Sequence, residues 1–286
     1  MKIILTGAGG YLGSNLKVFL SNFHEVKTLS LRPSNMDRVE HELLGFNPDV
    51  VIHCGWGLGN SYKDITNVKQ FDNIFVGCEL LKSISKLNNV TFMGFGSFSE
   101  YGTIKNPAKE TDQVLPNNLY GLTKNSYKNI SQNFCRINNN RWLWIRPCYV
   151  YGKTDVSTRL IPKVFDSCIN KNNLVLNSCN SIVDYLYIDD FCSAINDLLV
   201  TSSSGVYNVC SGNEYKISDV ISEIQVMTNI DDNISYDTSL DRDNSYSYIC
   251  GDNVKLKNIG WTPSFSLIDG LRDTLNYFSS REHTKC

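Results

Sequence analysis

KIILTGAGGYLG, residues 2–13, is the stretch whose reading decides the fold. Its first five residues are an apolar run that stops at glycine, the pattern of a strand buried on both faces of a parallel sheet. Gly7, Gly10 and Gly13 follow at G-x-x-G-x-x-G spacing, and Leu12, Leu16, Phe19 and Leu20 then share one helical face. The first glycine permits a tight turn. The second lets backbone N–H groups approach a pyrophosphate at the helix N-terminus, and the third lets helix and strand pack closely. A glycine-rich turn without a ligand is the plain alternative, but strand before and helix after favour the nucleotide loop.

Working outward, EVKTLSL (25–31), DVVIH (49–53), VTFMGFG (90–96) and WLWIRP (142–147) read as four more strands. Helical spacing over 68–87 and 119–137 separates the later ones. Strands alternating with helices predict an α/β protein of Rossmann type, a doubly wound parallel sheet covered on both faces. After Gly152 the pattern loosens, with helices expected at 159–169, 190–200, 217–228 and 267–279 and strands at 186–188 and 206–209. We therefore expect a dinucleotide-binding domain over 1–152 plus about 181–211. A smaller C-terminal α/β domain over about 153–180 and 212–286 would hold the substrate.

The end of the second strand selects the cofactor. In this fold an acid there binds the ribose hydroxyls of NAD, whereas an arginine suits the 2′-phosphate of NADP. VKTLSLR (26–32) has no acid: Ser30 stands at that position and Arg32 lies two residues on. A carboxylate would repel the phosphate, while a hydroxyl and a guanidinium donate to it. The expectation is NADP(H) in preference to NAD(H), with Arg38 a weaker second candidate and a solvated loop arginine the plain alternative.

LYGLTK (119–124) places Tyr120 and Lys124 one helical turn apart. Ser97, in GFGSFSEYG (94–102), falls where a strand opens at its C-terminal end, the ligand side of such a sheet. The three types suit carbonyl reduction. The phenol supplies the proton, the ammonium favours the phenolate, and the serine holds the oxygen in line.

Composition bounds the rest. A charge of −2 with 27 Lys and Arg against 29 Asp and Glu gives no footprint for nucleic acid or an anionic membrane surface. The N-terminal apolar run is too short for a signal peptide and no stretch is long enough to span a bilayer. Ten cysteines without a C-x-x-C pair read as reduced thiols in a cytoplasmic protein with no metal site.

Together T-G-x-x-G-x-x-G, Ser97 four residues before Tyr101-Gly102, Y-x-x-x-K and RPCYVYG (146–152) resemble the extended short-chain dehydrogenases/reductases. That family includes nucleotide-sugar epimerases, dehydratases and 4-ketoreductases. DVVIHCG (49–55), DYLYIDDF (184–191), VYNVCSG (206–212) and KLKNIGWTPSFSL (255–267) extend the likeness over nearly the whole chain. The resemblance implies Ser97, Tyr120 and Lys124 as the catalytic set. It implies Gly7, Gly10, Tyr11, Leu12 and Gly13 as the pyrophosphate loop, with Cys54, Gly55, Asn73 and Pro147 also at the cofactor. It further implies a nucleoside-diphosphate sugar as substrate and a homodimer, for which about 64–87 and 119–138 are the candidate helices, with ordinary cover for the sheet as their plain alternative.

Departures narrow the branch. Phe98 and Ser99 stand where the family's dehydratases carry an acidic pair, and strand alternation would turn Glu100 away. Tyr149 replaces the Asn that many 4-epimerases use on the diphosphate, and Val183 replaces a common Arg. Arg159 and Arg242 are then the cations expected at the diphosphate, with Ser97, Ser99 and Tyr149 beside the sugar. The segment 242–265 is similar to that of reductases making CDP-linked dideoxyhexoses. The resemblance thus implies an NADPH-dependent 4-ketoreductase of a CDP-, dTDP-, GDP- or UDP-linked 4-keto-6-deoxysugar, serving surface-polysaccharide synthesis. A 4-epimerase with tightly bound NAD and a non-catalytic NADP-binding regulatory subunit are the alternatives.

Overall fold

The computed structural model describes residues 1–57, 65–156, 158–230, 232–241 and 247–282. Its apolar runs form β1 (Lys2–Thr6), β2 (Glu25–Leu29), β3 (Val50–His53), β4 (Thr91–Phe95), β5 (Trp142–Pro147) and, later in the chain, β10 (Gly205–Val209). These six make one parallel sheet in the order β10-β5-β4-β3-β1-β2. The chain leaves β1 for β2 on one side and returns to β3 on the other. That reversal opens a crevice beyond the C-terminal ends of β1 and β3, where α/β sheets bind ligands.

Side-chain alternation divides the core into two layers. Ile3, Leu5, Val50 and Ile52 join one apolar cluster, while Ile4 and Val51 face the other. Helices α1 (Tyr11–Leu20) and α6 (Ile188–Val200) cover the first face; α2 (Met36–Phe46), α3 (Gln70–Ile84) and α4 (Leu119–Ile137) cover the second. Between β2 and β3 the sequence reading placed no helix, but α2 lies there, its Val39 and Leu43 buried one turn apart among charged neighbours that dilute the apolar period.

Beyond β5, β6 (Tyr149–Tyr151) pairs in parallel with β9 (Tyr185–Tyr187). β7 (Leu174–Leu176) pairs with β12 (Ile234–Tyr236). β8 (Ile182–Val183) lies between β11 (Tyr215–Lys216) and β13 (Tyr248–Ile249). The helices here are α5 (Leu160–Asn170), α7 (Ile217–Thr228), α8 (Val254–Lys257) and α9 (Leu267–Glu282). The first apolar cluster runs unbroken from Ile3 of β1 to Leu271 of α9, so the later elements share the sheet's core. Asp190 helps join them: its buried carboxylate accepts the N–H groups of Ser264 (2.8 Å) and Phe265 (3.0 Å).

Three boundaries differ from the sequence reading. β2 ends at Leu29, which leaves Ser30 and Arg32 beyond the strand. The helix expected over 68–87 is the shorter α3. Helix α6 begins at Ile188, because Asp189 and Asp190 complement its N-terminal dipole, so the strand expected at 186–188 stops at Tyr187. Among the described residues no helix is long and apolar enough to cross a membrane.

Candidate active site

The glycine loop closes over the end of β3. Gly7 has φ +79°, and a Cβ there would lie 2.5 Å from the Gly55 nitrogen. A Cβ on Gly13 would lie 2.2 Å from the Gly7 carbonyl oxygen, so β1 and α1 can approach this closely only without side chains. Gly10 caps the N-terminus of α1 and donates its N–H to the Gly7 carbonyl at 3.0 Å. Leu12 packs against the first core cluster.

A cleft of about 640 Å³ opens beside this loop, lined by Gly7, Ser30, Arg32, Gly55, Trp56 and Asn73 among others. Its far end is shaped by Asn35. The amide donates to the Ser30 carbonyl and its oxygen accepts the Arg32 N–H, each at 2.8 Å, which fixes the turn carrying both predicted cofactor residues. Arg38 is committed elsewhere: its guanidinium donates to Glu42 at 2.7 Å. Asn73 accepts the Gly57 N–H at 2.5 Å. Cys54 lies just behind, its N–H on the Thr6 carbonyl, with burial pushing the thiol up to about 12. The cradle free of side chains, the cleft and an exposed Arg32 beyond β2 fit a dinucleotide phosphate.

Ser97 and Tyr120 come together. Ser97 stands two residues past β4 and caps a 3-10 turn, Phe98–Glu100, close enough to the Tyr120 phenol from α4 to favour its ionised form. Lys124, one turn on, is buried. Its ammonium donates to the Phe95 carbonyl at 2.7 Å, sits 3.9 Å from the centre of the Trp56 ring and lies 5.8 Å from that of Tyr120. Trp56 in turn donates its indole N–H to Gln70 at 2.7 Å and lines the cleft. The amine therefore adjoins the glycine-loop cleft through one indole, with the phenol one turn back on the same helix.

Electrostatics differ from the expected priming of the phenol. Burial pushes Tyr120 up to about 12; Ser97 opposes this and the Glu100 carboxylate adds to it. Burial pulls Lys124 down to about 7, against the pull of Glu100 and Cys54. Without a dinucleotide, then, the phenol holds its proton firmly, as a donor must, and the amine's charge is the labile one.

A second cleft of about 350 Å³ brings Tyr149 and Arg159 together with Tyr151, Asp155 and Tyr185. Arg159 donates through one Nη to both oxygens of Asp155, each at 3.1 Å, and its guanidinium stands 5.5 Å from the Tyr11 ring. Tyr11 thus links the glycine loop to this cleft, with its hydroxyl buried and without a partner among the described residues. Val183 is buried in β8. Pro147 ends β5, two residues before Tyr149. Ser99 is half-buried, its carbonyl packed so closely that a Cβ on Gly121 would lie 2.2 Å away. Arg242 lies outside the described residues.

Glu100 corrects the strand-alternation expectation. It belongs to the 3-10 turn, so its carboxylate folds back beneath Ser97 and accepts that residue's N–H at 2.9 Å. It is fully buried and paired with Arg146 at 2.9 Å. The signal was present: an arginine inside the apolar strand WLWIRP demands a buried counter-ion. Trp56 carried no comparable sequence signal, because a lone aromatic after a strand is ordinary core.

The pattern described as the NAD dependent epimerase/dehydratase family matches residues 3–210. The chain is 25% identical over 298 residues to GDP-6-deoxy-D-mannose reductase of Pseudomonas aeruginosa, covering 98% of each chain. It is 22% identical to dTDP-6-deoxy-L-talose 4-dehydrogenase (NAD(+)) of Aggregatibacter actinomycetemcomitans, covering 78% of this chain and 89% of that one. The crystal structure of RMD from Pseudomonas aeruginosa complexed with NADPH shares the fold, with a TM-score of 0.87 at 23% identity over 98% of this chain and 99% of that one.

Proposed function

The chain belongs to the NAD dependent epimerase/dehydratase family, and from that premise we propose that it is an NADPH-dependent reductase of the C4 ketone of a nucleotide-linked 4-keto-6-deoxysugar. The family and its relatives support the coarser statement, an oxidoreductase acting on nucleotide sugars in deoxysugar synthesis. The observation that carries the finer one is the Lys124 ammonium set against Trp56, a wall of the glycine-loop cleft, with the Tyr120 ring 5.8 Å from the same ammonium and one turn back on α4.

Gly7, Gly10 and Gly13 with Tyr11 and Leu12 would hold the pyrophosphate, and Ser30 and Arg32 the 2′-phosphate. Gly55 and Asn73 line the cleft between, and Cys54 and Pro147 would border the nicotinamide. When bound, NADPH supplies a hydride to the carbonyl carbon. Ser97 holds the carbonyl oxygen in line, and Tyr120 gives that oxygen its proton as the C=O bond becomes an alcohol. Lys124 stabilises the tyrosinate left behind. Glu100, the acid nearest Ser97 in the 3-10 turn, is engaged with Arg146, Trp144 and the Ser97 amide, which disfavours elimination of water.

The nucleotide diphosphate would lie along the second cleft against Arg159, with Tyr149 and Ser99 on the sugar side. We read residues 153–180 and 212–286 as the substrate-side lobe. Exposed Phe71 and Phe75 on α3, and Leu122 and Ile130 on α4, are the face through which two copies would pair.

The test is to incubate the protein with NADPH and a panel of CDP-, dTDP-, GDP- and UDP-linked 4-keto-6-deoxysugars and follow loss of NADPH absorbance. Stoichiometric oxidation with one or more panel members is expected. Interconversion of two sugars without net NADPH loss, in protein that carries oxidised cofactor as purified, would establish the epimerase instead.

A further inference from the structure

Beneath Ser97 lies a charged pair that the reduction itself does not use. The Glu100 carboxylate bonds within the core: Oε1 accepts the Ser97 N–H (2.9 Å) and the Trp144 indole N–H (3.0 Å), and Oε2 accepts Arg146 Nε (2.9 Å). Both side chains are essentially solvent-free, at 0% and 1% exposure. Arg146 covers the Tyr101 ring at 4.3 Å, and Tyr101 in turn donates its hydroxyl to Asn208 at 2.8 Å. The backbone is shaped around the carboxylate: a Cβ on Gly96 would lie 2.0 Å from Glu100 Oε1.

A buried ion pair is weak evidence for stability, since desolvation offsets much of the attraction. Its placement is better explained by what it touches. We propose that Glu100 is a positioning residue of the reduction site: its carboxylate, held by Arg146, anchors the Ser97 amide and sets the field at Lys124 and Tyr120. The inference rests on the reductase reading of those three residues.

The groups facing Lys124 are Trp56, Cys54 and His53 from the β3 side, the Phe95 carbonyl from β4, Tyr120 on its own helix, and Glu100. Cys54 is held as the neutral thiol and His53 as the neutral ring, each mainly by burial. Glu100 is thus the carboxylate acting on the amine, favouring its ammonium, and it also favours the protonated phenol of Tyr120. Lys128, one turn beyond Lys124, feels both Arg146 and Glu100, in opposite senses, under the larger effect of burial.

Two variants test this. Glu100→Gln keeps the shape but sets an amide donor against either Arg146 or the Ser97 N–H. Glu100→Gln with Arg146→Gln restores complementary hydrogen bonding without either charge, and so remains a usable folded reference. For each, kcat, KM, NADPH stoichiometry and the Lys124 titration (carbon-13 NMR of lysine-labelled, cofactor-free protein) are measured. Expected for Glu100→Gln is a fall of about tenfold in kcat at unchanged NADPH stoichiometry. The Lys124 midpoint should move down by about half a unit or more in both variants. A kcat loss that merely tracks lost binding sites, or a Lys124 midpoint that stays put in both, overturns the proposal. Wild-type protein inactive on the whole sugar panel would count against the reductase reading, while the Lys124 titration would still judge Glu100.

Discussion

The Lys124 ammonium rests 3.9 Å from the centre of the Trp56 ring, and that same indole forms part of the wall of the glycine-loop cleft. One aromatic side chain therefore touches both the amine and the space a dinucleotide would fill. The other tryptophans, Trp142, Trp144 and Trp261, are buried. NADPH should quench tryptophan fluorescence mainly through Trp56. In Trp56→Phe most of that quench should vanish while the protein still binds NADPH, as judged by the cofactor's own emission. Undiminished tryptophan quenching in the variant would place the dinucleotide away from this wall.

Removing the phenol oxygen should separate binding from chemistry. Tyr120→Phe keeps the ring and loses the proposed proton donor. NADPH affinity should stay near normal while kcat falls at least ~10²-fold. Near-wild-type turnover would remove Tyr120 from its assigned role.

The proposed preference for NADPH rests on one exposed side chain. Asn35 pins the Arg32 backbone at the cleft's end, so the guanidinium is presented by a fixed turn. Arg32→Ala should weaken NADPH by about tenfold or more, the order expected for losing a charge-assisted hydrogen bond, and leave NADH nearly unchanged. Equal weakening of both would show that Arg32 does not read the 2′-phosphate.

The sheet was legible because its cause is local: short apolar runs and glycines dictate parallel strands whatever surrounds them. The meeting of Ser97 with Tyr120 was legible for a related reason, since strand ends and one helical turn fix where such side chains stand. What stayed hidden depends on partners far apart in the chain. Glu100 and Arg146 are 46 residues apart, and only the fold shows that the acid lies in a 3-10 turn rather than on a strand. Arg159 was read as a cation for the diphosphate, and only the structure gives it Asp155, four residues earlier in the chain, and the ring of Tyr11. The rise at Tyr120 and the fall at Lys124 come chiefly from burial, a property of the packed core.

The labile charge on Lys124 sets a kinetic expectation. With the amine near 7 in the cofactor-free protein, its ammonium is progressively lost as pH rises through neutrality. Tyr120, at about 12, keeps its proton throughout. The kcat/KM for NADPH, which reports groups of the free enzyme, should therefore decline on the alkaline side with a midpoint near 7. A profile flat through that range, or one rising with pH, would mean that the ammonium is not required.

Stability should fail in acid through His53. The ring is buried at 4% exposure, its Nδ1 lies 2.8 Å from the Thr6 hydroxyl and its Nε2 has no partner among the described residues. Burial, aided by the charge of Lys124, pulls it down to about 3. An unfolded histidine titrates near 6.5, so between about 6.5 and about 3 the unfolded chain holds a proton that the folded chain refuses. Stability consequently falls as pH drops through that window, by on the order of 5 kcal/mol when complete, and the loss ends only below the folded value. Neutral pH leaves both states unprotonated at this site and shows no such effect. His53→Gln keeps a polar partner for Thr6 but cannot gain the charge. Urea midpoints for wild type and variant, compared from about pH 7 down to about pH 4, should converge or cross as the wild type loses its advantage. A wild-type-minus-variant difference that does not change over that range would show that His53 contributes nothing to acid unfolding.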